Sequence, residues 1–306
     1  MWPMLKTLLS FNYSAHARFV APARERAELW RLLVGLALAT SVIMICSPLI
    51  WQFLSYVMSE DGYRTLSDDL DTLLLPQSIL VLLSSFGLIW IAIAAVVIVF
   101  HLRRPETLLG PPTIAFLQAK FVVVALLLLT AALLVLPPYG FDPALQNGLP
   151  FSRWLGFLLP AVIAIFIQTS AEEVLFRGYI QQQLAAKFQN PLIWMLIPSV
   201  LFGLAHYAPQ SFGSNTWLVV IWAAIFGVLA ADLTARSGTL GPAIAMHFVN
   251  NISALLIIAP QGEMSGLALF NYPFDASDEA AVRSILPIDF AMMLVAWLAA
   301  RLALRR

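Results

Sequence analysis

Long runs of apolar residues, separated by short polar connections, extend through most of the chain and predict membrane-spanning helices. A run of about 20 apolar residues is long enough for a helix to cross the hydrocarbon core of a bilayer. We therefore expect an all-α membrane protein, a polytopic bundle of about eight transmembrane helices. The predicted spans cover approximately residues 32–57, 79–100, 114–136, 154–184, 192–206, 217–233, 241–258 and 287–301.

The composition agrees with a membrane protein and narrows the possible partners. The 306 residues are 60% hydrophobic and only 11% charged, with a mean hydropathy of +0.85. The formal net charge is zero, so the composition does not favour nucleic acid, and the expected environment is the lipid bilayer. Among the basic residues, only Arg64, Arg153 and Arg283 fall in predicted outer loops. This asymmetry predicts a multi-pass protein, of the cytoplasmic membrane if bacterial, with both termini cytoplasmic.

Two regions differ in their residue pattern. Residues 1–31 mix aromatic and leucine side chains with basic ones, which is typical of a segment at an anionic membrane surface, here on the cytoplasmic side. Residues 32–306 are predicted to form a single transmembrane domain with its functional core at about 154–256. The first apolar run lacks a small-residue cleavage site, so we expect a membrane anchor and not a removable signal. The single cysteine, Cys46, excludes an intrachain disulfide and is interpreted as a packing residue.

The fourth predicted span carries Glu172, Glu173 and Arg177 within one continuous apolar helix. An ionisable residue inside a membrane segment costs roughly 2.5 kcal/mol or more and marks a functional site by default. Glu173 and Arg177 can pair along one helical face, whereas Glu172 lies about 100° round the axis without a partner in its own turn. We interpret the pair as structural support and Glu172 as the available carboxylate. By the same spacing, Asp232 and Arg236 are expected to form a structural pair in the sixth span.

Three further polar residues are predicted near the depth of Glu172. Measured from the inner turn at 187–191, a rise of 1.5 Å per residue places Glu172 and His206 at about 22 Å each, on antiparallel neighbours. In the seventh span His247 and Asn251 share one helical face, at about 14 and 20 Å from Gly238. A carboxylate, two imidazoles and a carboxamide at one depth are what water activation and oxyanion stabilisation require. We also expect His206 within one water of Glu172, at most about 8 Å between side chains.

These residues fall into three ordered motifs, each in a predicted span. The motifs are Glu172-Glu173-x-x-x-Arg177, Phe202-x-x-x-His206 and His247-x-x-x-Asn251. In order and spacing they resemble the three motifs of the CPBP family, which includes the CAAX prenyl endopeptidases and the bacteriocin-processing or immunity proteins. The resemblance covers about residues 154–256, and it is specific because all three motifs occur together. It implies eight transmembrane helices, with catalytic groups on the fourth, fifth and seventh.

The resemblance implies an intramembrane endopeptidase, which hydrolyses a peptide bond of a membrane-associated protein or peptide, lipidated or not. Glu172 would be the general base and His206 would bind the attacking water. His247 and Asn251 would stabilise the oxyanion, and the neighbouring Glu–Arg pair would brace the site. Since no prenyl-specific signature is present, the family name does not fix the substrate.

Metal dependence is a separate question, because the family is often called a metalloprotease while a metal-free mechanism has also been argued for it. The chain has no His-Glu-x-x-His motif. Zinc would have to recruit Glu172, His206 and His247 from three separate spans. We therefore favour water activation that requires no cofactor, with a zinc centre as the alternative.

A membrane transporter or binding protein is the rival interpretation, with Glu172, His206 and His247 as a proton or ion relay. Internal repeats and discontinuous helices would favour transport. The sequence shows no repeat, and Asn251 has a ready role in proteolysis but a less obvious one in a relay. We therefore favour the protease.

Overall fold

The computed structural model describes residues 13–135 and 144–305. Six helices in these ranges are long and apolar enough to cross a membrane, and two shorter apolar helices, Pro191–Leu204 and Gly241–Ile257, correspond to the predicted fifth and seventh spans. The all-α, polytopic membrane class is therefore confirmed. The count of eight transmembrane helices stays a prediction, because these two helices fall short of the length of a full span.

Helices account for most of the described residues and follow the predicted spans closely. The α-helices are α1 Ser14–Val20, α2 Leu29–Val57, α3 Glu60–Asp68, α4 Pro76–Ser85, α5 Gly87–Val99, α6 Pro112–Val135, α7 Phe151–Glu173, α8 Gln182–Lys187, α9 Pro191–Leu204, α10 Pro209–Phe212, α11 Thr216–Ser237, α12 Gly241–Ile252 and α13 Glu279–Leu304. The 3₁₀ segments are Ala21–Arg26, Pro105–Leu108 and Gly213–Asn215, and the π-helical segments are Val174–Gln181 and Ser253–Ile257.

One predicted boundary is wrong. The second span is confirmed over Pro76–Val99, although it divides near Phe86 into α4 and α5. The last helix begins at Glu279 and not at Pro287, because the Asp278 side chain accepts a hydrogen bond from the Ala281 N–H and caps the helix. Pro287 lies inside this helix.

A small β-sheet, which the sequence interpretation did not predict, joins segments expected to be outer loops. The strands are β1 Gln146–Asn147, β2 Ile258–Gln261 and β3 Phe270–Asp275, in the order β1-β3-β2. β3 pairs antiparallel with β1 and parallel with β2, so that Asn271 stands opposite both Gln146 and Ala259. β1 and β2 are too short to show a strand pattern, whereas β3 alternates Phe270, Tyr272 and Phe274 with mostly polar residues, a signal that the sequence interpretation missed.

The fourth span was predicted to be one uniform α-helix, but the structure differs. α7 continues through the π-helical segment 174–181 into α8. Single π-helical turns within α-helices are frequent at functional sites. Almost every residue from 168 to 184 is buried. α12 packs against α7 and α11, and α9 packs against the π-helical segment and α11, so the three motif-bearing helices meet around this stretch.

Several sequence predictions fall on other parts of the chain. Residues 1–12 of the predicted interfacial segment and residue 136, at the end of the third predicted span, lie outside the described residues. In α1, which follows that segment, the side chains of His16 and Phe19 are buried against the bundle. Cys46 is half-buried within α2 and forms no disulfide. The division into residues 1–31 and 32–306 and the cytoplasmic placement of both termini stay predictions.

Candidate active site

Glu172 lies near the C-terminal end of α7, just before the π-helical segment, and is 9% exposed. Gln168, one turn earlier, donates from Nε2 to Glu172 Oε1 at 2.8 Å. Glu172 Oε2 makes no hydrogen bond to any described residue. The prediction that Glu172 has no partner in its own turn is therefore wrong: one carboxylate oxygen is held by an amide, and the other makes no hydrogen bond within the described ranges.

Glu173 and Arg177 form the predicted pair, with Arg177 Nη1 3.0 Å from Glu173 Oε1 and both side chains almost fully buried. His247 Nδ1 lies 2.9 Å from the same oxygen, Glu173 Oε1. Within the described ranges, Glu173 Oε2 and the Nε and Nη2 atoms of Arg177 make no hydrogen bond. The pair therefore also connects two motifs, and part of its hydrogen-bonding capacity is unused.

His247 stands between the two carboxylates. Its Nδ1 contacts Glu173 as above, and its Nε2 lies 3.6 Å from Glu172 Oε2, slightly beyond hydrogen-bond distance. A neutral imidazole can donate from only one nitrogen, whereas an imidazolium donates from both. If both carboxylates are ionised, only an imidazolium could donate from Nδ1 to Glu173 and from Nε2 towards Glu172. The sequence had predicted the depth of this residue but not its contact with Glu173.

His206 lies in the turn that follows α9 and is half-buried. Its Nδ1 is 2.9 Å from the carbonyl oxygen of Phe202. Because a carbonyl only accepts, Nδ1 must carry the proton, and in the neutral ring Nε2 is then an acceptor. His206 does not hydrogen-bond Glu172 directly, and the water-bridged contact between them stays a prediction.

Aromatic rings enclose these polar groups. The Phe202 ring lies 4.7 Å from the His206 ring and 5.8 Å from the His247 ring, centroid to centroid. Phe226 packs 4.9 Å from His247, and the Arg177 guanidinium lies over Phe202 at 4.5 Å. Such an apolar surround lowers the local dielectric constant and strengthens each electrostatic contact. The two histidines, from different motifs, thus share one aromatic neighbour.

Asn251 is bound by a residue that the sequence interpretation missed. Its Nδ2 donates to Gln168 Oε1 at 2.9 Å, and its Oδ1 accepts from Asn250 Nδ2 at 3.2 Å. Gln168 is 6% exposed and therefore bridges Asn251 and Glu172 inside the bundle. The available signal was its position four residues before Glu172 in an otherwise apolar helix, where a polar side chain needs a partner.

The arrangement does not fit a zinc centre made of Glu172, His206 and His247. Three ligands of such a centre would have to converge within about 2.0–2.2 Å of one point. Among the described residues no group of three or more His, Cys, Asp or Glu side chains is close enough to hold a metal ion. The Nδ1 atoms of His247 and His206 contact Glu173 and a backbone carbonyl, so only Nε2 of each ring would be available to a metal.

Comparison with known proteins gives two matches. Residues 153–253 match a family model described as Type II CAAX prenyl endopeptidase Rce1-like. The chain is also 27% identical over 265 residues to the uncharacterized protein YyaK of Bacillus subtilis (strain 168). This alignment covers 81% of this chain and 84% of that protein. No solved structure matches the chain significantly. The family match contains all three motifs, so the resemblance to the CPBP family, with its CAAX prenyl endopeptidases, is confirmed.

The match to the family model concerns the class of enzyme and its location in the cell. It suggests CAAX-type intramembrane protease activity, and therefore a peptidase. Together with the six long apolar helices, it indicates a multi-pass membrane protein.

Proposed function

We propose that the chain is an intramembrane endopeptidase that hydrolyses a peptide bond of a membrane-associated protein or peptide with water activated by Glu172. The observation that carries the proposal is the state of Glu172: its carboxylate is buried, one oxygen is bound by Gln168 and the other has no hydrogen bond among the described residues. A buried carboxylate with one open oxygen is suited to accept a proton from a substrate water.

The roles of the surrounding groups follow from their hydrogen bonds. In the proposed reaction Glu172 Oε2 takes a proton from water while His206 Nε2 accepts the other water hydrogen and orients it. The resulting hydroxide attacks the substrate carbonyl carbon. N–H groups of His247 and Asn251 stabilise the oxyanion of the tetrahedral intermediate. The carbon–nitrogen bond then breaks, and the leaving amine takes the proton from Glu172.

Glu173 supports this reaction through His247. Its carboxylate holds Nδ1 of the imidazole, which directs Nε2 towards the side of Glu172. Arg177 in turn neutralises Glu173 within an apolar surround. This gives the predicted bracing pair a more specific task, the orientation of the oxyanion donor.

No step in this mechanism uses a metal. If zinc takes part, the Glu172, His206 and His247 side chains would hold it after moving closer together than in this structure. Zinc would then supply a Lewis acid for the water.

The substrate is proposed to be a protein or peptide at the membrane, on the basis of the family match and the burial of the site. Synthetic peptides with and without a prenyl group on one cysteine would decide whether lipidation is required. Cleavage of only the prenylated peptide would support a CAAX-type substrate.

The direct test is Glu172→Gln, which keeps the size of the side chain and removes the base. Membrane proteomes of cells with the wild-type chain and with Glu172→Gln would identify the cleaved protein. A peptide spanning the cleaved bond then allows kinetics with purified protein, where we expect kcat to fall by about 10²- to 10⁴-fold.

Thr169→Val is a matched control. Thr169 is a buried neighbour whose hydroxyl, among the described residues, bonds only the backbone carbonyls of Ile165 and Phe166. Wild-type turnover by folded Glu172→Gln would contradict the proposal, and equal loss in Thr169→Val would attribute the effect to the helix.

A further inference from the structure

We infer that Gln168 is a positioning residue that joins the proposed base, Glu172, to the proposed oxyanion donor, Asn251. The inference rests on the proposed function. None of the three sequence motifs includes Gln168. Its side chain is buried and makes one hydrogen bond to each of two residues that belong to different motifs on different helices.

The chemistry of the two partners fixes the orientation of the Gln168 amide. An ionised carboxylate only accepts hydrogen bonds, so the amide nitrogen must face Glu172 and the amide oxygen must face Asn251. The observed contacts, 2.8 Å from Nε2 to Glu172 Oε1 and 2.9 Å from Asn251 Nδ2 to Oε1, have this polarity. A reversed amide would oppose two acceptors at one end and two donors at the other.

The orientation of Gln168 then decides which atoms the two catalytic candidates present. On Glu172 it occupies Oε1, so that Oε2 is the oxygen left for water. On Asn251 it binds one of the two Nδ2 hydrogens, so that the carboxamide cannot turn its oxygen to that side and the second hydrogen remains for a substrate carbonyl. Asn250 Nδ2, at 3.2 Å from Asn251 Oδ1, holds the other end.

One amide thereby sets the base and the oxyanion donor relative to each other. Because α7 and α12 are separate helices, a small shift between them would move the two groups apart without such a link. Misplacement of a reacting group by about 1 Å can lower turnover by about 10²-fold. The expected signature is a loss in kcat with little change in substrate binding.

The kinetic test compares Gln168→Met, which keeps approximate size and removes both hydrogen bonds, with Thr169→Val on the same turn. With the peptide that is cleaved in a Glu172-dependent manner as the probe, we expect Gln168→Met to lower kcat by about 10- to 100-fold and to change KM less than about twofold. Thr169→Val should keep both constants. Unchanged kcat in folded Gln168→Met would overturn the inference.

A double-mutant cycle tests whether Gln168 acts through Asn251. If it does, Gln168→Met should cost much less in the Asn251→Ala background than in the wild type, because the link is already lost. Losses that multiply would overturn the coupling. Gln168→Glu is a second variant should Gln168→Met fail to fold, since it keeps the shape but replaces the donor with an acceptor.

A readout independent of turnover separates this inference from the proposed function. Infrared spectra of protein with ¹³C-labelled glutamate should show a shifted carboxylate band in Gln168→Met relative to the wild type, and the difference should vanish in the Glu172→Gln background. No shift would overturn the inference even if Glu172 proves catalytic. A band shift in Gln168→Met together with wild-type cleavage by Glu172→Gln would support the hydrogen bond between Gln168 and Glu172 but refute the proposed function.

Discussion

The Glu173–Arg177 and Asp232–Arg236 pairs share the i,i+4 spacing and nearly complete burial, but their surroundings differ. The Asp232 carboxylate receives hydrogen bonds from the Tyr13 hydroxyl at 2.8 Å, from Arg236 Nε at 2.7 and 2.9 Å, and from the Trp297 indole at 3.0 Å. By contrast, Glu173 Oε2 has no hydrogen-bonding partner in the described part of the chain.

The difference separates a structural pair from a pair in a site. Asp232 joins α11 to Tyr13 at the start of α1 and to α13, so all its acceptor capacity serves packing. Glu173 Oε1 contacts both Arg177 and His247, whereas Glu173 Oε2 has no hydrogen-bonding partner among the described residues. Buried polar groups without partners are costly, and they persist mainly where a ligand or a reaction uses them.

The largest expected effect comes from removing either carboxylate charge. Breaking a buried ion pair at one partner costs about 3–5 kcal/mol. Asp232→Asn should therefore lower the thermal stability in detergent strongly while the remaining folded protein keeps its kcat. Glu173→Gln should lower both stability and kcat, because His247 loses its support.

Thermal unfolding and kinetics on the same preparations distinguish these outcomes. A Glu173→Gln variant with unchanged stability would contradict the bracing role. Equal losses of kcat per folded molecule in both variants would remove the distinction between the two pairs.

His247→Ala removes the imidazole that contacts Glu173 Oε1. We expect kcat to fall by about 10²- to 10³-fold, as for loss of an oxyanion donor, without any change in metal content. The metal content is measured by elemental analysis of the purified protein. Stoichiometric zinc in the wild type that is absent from His247→Ala, and that restores activity after chelation, would instead make the enzyme a metalloprotease.

The stability of the region around α1, whose preceding residue Tyr13 binds Asp232, should depend on pH. Burial lowers the pKa of His16, in α1, to about 4 from its ordinary value of 6.5, and the ring packs 4.4 Å from Trp194. The unfolded chain therefore takes up the proton first as pH falls. The contribution of His16 to stability should be full above pH 6.5 and should be lost between pH 6.5 and 4, by up to about 3 kcal/mol.

Thermal melts across this range check the sign. Burial also lowers the pKa of His101 to about 4, so the variant His16→Gln should remove only part of the dependence. Stability that rises as pH falls from 6.5 to 4 would contradict the burial of both rings.

The smallest expected effect is that of Tyr13→Phe, which removes one donor to Asp232 and keeps the ring near Arg236 and Trp194. Loss of a hydrogen bond to a charged group costs about 1.5–3 kcal/mol. The melting temperature should fall less than in Asp232→Asn, with kcat unchanged. A larger loss than in Asp232→Asn would show that Tyr13 acts outside this pair.

The sequence by itself determined the features that depend on local periodicity. Apolar runs of sufficient length indicated most of the helices within a few residues, and the i,i+4 spacing identified both ion pairs, because neighbours on one helical face meet whatever surrounds them. The order of three motifs indicated a resemblance to the CPBP family, and residues 153–253 match the Rce1-like family model.

The tertiary structure decided what depends on the rotation and separation of different helices. It brought His247 Nδ1 to Glu173, connected Gln168 to Asn251, and joined three loop strands into a sheet. Depth along a helix follows from residue number, but the direction that a side chain takes towards another helix follows from packing. For that reason the sequence placed His247 near the depth of Glu172, while its contact with Glu173 emerged only when the helices were packed together.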